Sequence, residues 1–167
     1  VQLFAAKYPA AVAGLVLLDP PPLGFIQGKD YTDFAQMAAG MTAEWQAIAD
    51  AAAGAADPGE RARGTFFRMI ASEHRELFGA TAQQVGALPS LGDLPLVVIA
   101  AGKANPAFGE QAAAFQRYWI EQSRALAARS TQGRFILAGE STHYLYLDAP
   151  ELVAETILGV VRAQRAK

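Results

Sequence analysis

Cysteine is missing from all 167 residues, which excludes disulfides and thiolate metal sites but leaves the compartment open. Histidine occurs only twice, at His74 and His143. Two such distant imidazoles form no recognisable ligand set, so no metal is expected. Apolar runs approaching the ~20 residues of a bilayer span are absent. A basic stripe is also lacking: 14 basic side chains stand against 16 acidic ones, for a net charge of −2. Nothing therefore favours nucleic acid or an anionic membrane. No glycine-rich loop joins a strand to a helix in the manner that cradles a phosphate, and no cofactor is expected. The chain opens at Val1 with no basic-then-apolar leader. A cytoplasmic location is the favoured expectation, with any targeting region lying outside these residues.

What is present points to a folded domain. Hydrophobic residues make up 52% and charged residues 18%, a globular balance, and the length is that of one domain with a sizeable core. Val1–Tyr8 is a strong helix former that stops before Pro9. Leu15–Leu18 is short, wholly apolar and closed by Asp19 and three prolines, the pattern of a buried parallel strand. From about residue 30 to 86 the periodicity turns helical, with no strand candidate. Asp57-Pro-Gly-Glu60 and Thr81-Ala-Gln-Gln84 both fit a capping box. The block's apolar positions, among them Phe25, Phe34, Met37, Trp45, Phe66 and Met69, read as helix packing. Beyond it come a strand at Leu94–Ala101, a helix from about Pro106 to Arg129, a strand at Arg134–Ala138 and a closing helix at Pro150–Arg165. Asp148 is the expected cap of that last helix, and Glu151 sits in its first turn. Strands alternating with helices imply a parallel sheet with right-handed crossovers.

Chemistry concentrates on Gly139-Glu-Ser-Thr-His143-Tyr144, the link between the third strand and the helix after it. Open α/β sheets present functional groups at the carboxyl ends of their strands. An imidazole placed there can exchange protons near neutral pH. His74, within Ser72-Glu-His-Arg-Glu76 on a helix of the insert, reads instead as solvated surface.

The series LFAAKYP, GLVLLDPPP, a helical insert, LPLVVIAAG and GRFILAGESTHYLYLDAPELVAETILGVV resembles the α/β-hydrolase family, specifically its carboxyl-terminal half. The strongest element is Thr142-His-Tyr-x-x-x-Asp148-x-Pro-Glu151. The resemblance implies a partial α/β-hydrolase fold: three parallel strands with crossover helices in a core of residues 1–29 and 87–167, and a helical lid over 30–86. It implies that His143 is the catalytic base. The family's common acid position corresponds to Gly102-Lys-Ala-Asn-Pro106, which offers no carboxylate. Some members, certain haloalkane dehalogenases included, carry the acid after the earlier strand, where Asp19 stands; Glu110 is the substitute. The family's nucleophile elbow, Gly-x-Ser-x-Gly, occurs nowhere in these residues, and the resemblance places it about five residues before Val1. Ser141 does not replace it, because His143 fills a place the elbow needs for a small residue.

The expected function is hydrolysis of an ester or related bond in a small, apolar substrate by a full-length protein, through a covalent intermediate on serine or aspartate. The present residues alone are expected to be inactive, and to dimerise or aggregate through the exposed edge of Leu15–Leu18. The alternative is a non-catalytic module that binds a ligand or partner.

Overall fold

The structure, a computed structural model, describes residues 1–23 and 28–165. Phe25, one of the apolar positions expected in the helical block, lies outside the described residues. The elements in chain order are α1 (Gln2–Lys7), β1 (Leu15–Leu18), α2 (Lys29–Ala52), α3 (Pro58–Glu76), α4 (Ala82–Gly86), β2 (Leu96–Ala101), α5 (Ala112–Ala127), β3 (Gly133–Ala138), α6 (Leu145–Asp148) and α7 (Pro150–Arg165). They fall into two compact units, Val1–Ile26 with Val85–Lys167, and Gln27–Gln84.

The first unit is a mixed α/β arrangement around a three-stranded parallel sheet in the order β1-β2-β3. The middle strand decides it. Leu96-Val-Val-Ile-Ala-Ala is buried at every position, as a parallel strand covered on both faces must be. Alternation sends Leu96 and Val98 to one face, where they meet Leu17, Leu126 and Ala127. It sends Val97 and Ile99 to the other, against Ala138, Leu145 and Val153. On β1, Leu15 N–H donates to Pro95 O and Asp19 N–H to Ile99 O, so these odd positions face β2. Parallel pairing then turns the backbone groups of Val16 and Leu18 to the other side, where no strand lies among the described residues.

Two boundaries differ from expectation for local reasons. The middle strand begins at Leu96 because Pro95 has no N–H to give a ladder, although its carbonyl still accepts from Leu15. The helix expected from Pro106 is two pieces. A tight 3₁₀ stretch over Pro106–Gln111, capped by Asn105 Oδ1 on Ala107 N–H, is broken by a reversal at Gly109 (φ 55°), and α5 starts at Ala112. Phe108 nonetheless packs edge-on against Phe115, 5.5 Å between centroids.

The second unit is helical. Asp57 caps α3 through its carboxylate on Glu60 N–H at 2.9 Å, with Pro58 following. Gly64 sets the closeness of α2 and α3: a Cβ there would lie 2.6 Å from that of Ala52. Thr81 is not a cap but the end of a wide helical turn, Leu77–Thr81, that runs past a kink at Gly79 into α4. His74 is not solvated surface either. It is half-buried, its Nδ1 lies 2.7 Å from the Thr42 hydroxyl, and its ring packs edge-on against Trp45 and Phe78. Burial lowers its pKa below 6.5.

Candidate functional site

Asp19 is the residue at which β1 stops. Its backbone takes φ 43°, the one non-glycine residue with positive φ among those described, a conformation that surrounding contacts must hold. They do so from both ends. Its N–H donates to Ile99 O at 2.7 Å, and its Oδ1 accepts from Ala101 N–H at 2.9 Å. The side chain is buried, and its second oxygen, Oδ2, lies 2.7 Å from Nδ1 of His143.

His143 reaches Asp19 across the end of the strand between them, and glycine makes that crossing possible. A Cβ on Gly102 would sit 2.3 Å from Gly139 O, so the backbones leaving β2 and β3 touch. Gly102 N–H donates to Ala138 O and Ser141 O, and Lys103 N–H donates to Ser141 O at 3.0 Å. Ser141 is therefore a buried brace of this junction, with its carbonyl as the working group. The imidazole stands between Trp119 and Tyr144, both edge-on at about 6 Å. With Nδ1 committed to the carboxylate, Nε2 is the nitrogen that can exchange a proton. The hydrogen bond to Asp19 raises the His143 pKa above 6.5; partial burial opposes this, and the Asp19 charge reinforces it.

Beside the pair lies a cavity of about 460 Å³, lined by Asp19 and His143 with Lys103, Asn105, Phe108, Gln116, Trp119, Thr142 and Tyr144 among others. Phe108, Trp119 and Tyr144 give it apolar surface, and Asp19, Lys103, Asn105, Gln116, Thr142 and His143 supply polar groups, the mixture small-molecule pockets use. Gln116 is tied by its amide to Ala101 O at 2.8 Å. The substitute acid Glu110 is exposed in the 3₁₀ turn. Glu140 is almost fully exposed and 3.9 Å from Lys103. The carboxylate on the imidazole is that of Asp19.

One residue has a different place from the one expected. Asp148, the anticipated cap of α7, turns its carboxylate back onto Thr142. Oδ2 accepts from both the backbone N–H and the hydroxyl of that residue, each at 2.6 Å. Nothing in the spacing announces this, because a six-residue return depends on the short helix α6 between the two. Among the described residues, no three His, Asp or Glu side chains gather where they could hold a metal ion. No helix among them is long and apolar enough to cross a membrane. No protein-family model, curated protein or solved structure matches the chain.

Proposed function

We propose that His143 and Asp19 are the base and acid of a covalent hydrolase of the α/β-hydrolase type. The observation that carries the reading is the 2.7 Å contact between His143 Nδ1 and a buried Asp19 carboxylate, beside a cavity at the carboxyl edge of a parallel sheet. A carboxylate on Nδ1 holds the imidazole in the tautomer whose Nε2 accepts a proton, and stabilises the imidazolium that forms. His143 would take a proton from the attacking group and return it to the leaving group. It would then activate the water that releases the covalent intermediate. Among the described residues that line the cavity there is no serine or cysteine, and in this reading the nucleophile and the oxyanion donors are supplied from outside these 167 residues. The apolar surface of Phe108, Trp119 and Tyr144 suits an ester or related bond in a small, apolar substrate. The helical block is read as the lid of such an enzyme.

The second reading is a non-catalytic module that binds a ligand in the same cavity. Assay of the full-length protein with short-chain p-nitrophenyl esters separates the two. Hydrolysis is expected, reduced at least about 10³-fold by His143→Ala. Turnover indifferent to His143, or a folded full-length protein that hydrolyses none of these esters, would overturn the assignment.

A further inference from the structure

The loop that carries His143 has no regular structure between the end of β3 and Leu145, yet its imidazole must meet Asp19 to within a hydrogen bond. The braces at Gly102, Lys103 and Ser141 fix the start of this loop. They leave the residues on either side of the histidine to be fixed by something else. Thr142 and Tyr144 both lead to one carboxylate. Thr142 donates its N–H and its hydroxyl to Asp148 Oδ2, and the same hydroxyl accepts from Tyr144 N–H at 3.3 Å. Asp148 is itself set by α6, its N–H donating to Tyr144 O at 3.1 Å, while Leu145 anchors that turn in the core with no exposure.

From this geometry we infer that Asp148 is a positioning residue for His143, its carboxylate closing the Thr142–Tyr144 turn so that Nδ1 stays on Asp19. Charge-assisted hydrogen bonds are shorter and stronger than neutral ones, and the 2.6 Å bond from the Thr142 hydroxyl has the length expected of one. The Thr142 hydrogen bonds also hold the Asp148 carboxyl below its usual pKa, so the clamp keeps its charge wherever His143 titrates. The bearing on catalysis rests on the hydrolase reading, whereas the clamp itself is read through the imidazole alone.

The test is an NMR titration of His143 in the full-length protein, with Thr142→Val, Asp148→Ala and Asp19→Asn made singly, and Asp19→Asn also combined with each of the other two. Both Thr142→Val and Asp148→Ala should move the His143 pKa down toward the ordinary 6.5, Asp148→Ala further. Removing the Asp148 charge also acts directly on the imidazole, so Thr142→Val, which changes no charge, decides. If the clamp works through the pair, Thr142→Val should add little once Asp19 is already Asn. An unchanged His143 titration in folded Thr142→Val, or the same shift with and without Asp19, would overturn the proposal. Thr142 is exposed, so this variant should fold even where Asp148→Ala does not. Coupled titrations in a protein without esterase activity would sink the hydrolase reading and leave the clamp standing.

Discussion

At the scale of single residues, the site turns on a buried carboxylate at a strained backbone position and a more exposed imidazole. The His143 side chain is 58% exposed against 5% for Asp19, so water screens the pair and its contribution to folding is modest. The sign is nonetheless definite. A histidine whose folded pKa is raised stabilises the fold fully below the unfolded value of 6.5, and that stabilisation fades as pH climbs through the folded pKa. Catalysis runs the other way, because a base must be unprotonated. Under the proposed hydrolase reading, the acidic limb of the kcat/KM profile of the full-length protein should therefore fall above pH 6.5. A limb at or below that value would show that Asp19 does not hold the imidazolium. The spacing of residues made His143 legible, since it falls on a strand-to-helix loop. Asp19 came from the resemblance. Asp148 was misplaced because a cap and a loop clamp look alike in sequence.

At the scale of elements, the apolar runs were the readable part and the breaks were not. Leu15–Leu18 and the middle strand announce themselves by length and apolarity. The kinks at Gly79 and Gly109, and the half-burial of His74, do not. A glycine reversal carries no periodicity, and a polar residue inside an aromatic cluster is visible only once α2 and α3 pair. Thr42 supplies the partner that makes that burial tolerable. The middle strand is where the sheet stores its stability. Ile99 has no exposure and packs within the cluster of Val97, Leu145 and Val153. Ile99→Ala should cost about 2–5 kcal/mol in urea unfolding. A loss below about 1 kcal/mol would mean that this strand is not the centre of the core.

At the scale of the molecule, a sheet unit bears the site and a helical unit has its own packing. In the sequence, strand signals stop where helical periodicity begins, at about residue 30; the helical unit of the structure covers Gln27–Gln84. The open side of β1 could be read only as far as topology allowed. Val16 and Leu18 turn their backbone groups toward it, and an apolar parallel edge invites pairing. We propose that these 167 residues alone self-associate there. Light scattering should find dimers or larger species; a monodisperse monomer would contradict it. In the proposed hydrolase Asp19 orients His143 as the base, and one measurement decides whether it does. That measurement is kcat of the full-length protein on a p-nitrophenyl ester, wild type against Asp19→Asn. A fall of roughly 10⁴-fold is expected, the size seen when a wrong tautomer is held in an intact site, with circular dichroism unchanged. A kcat equal to that of the wild type would contradict it.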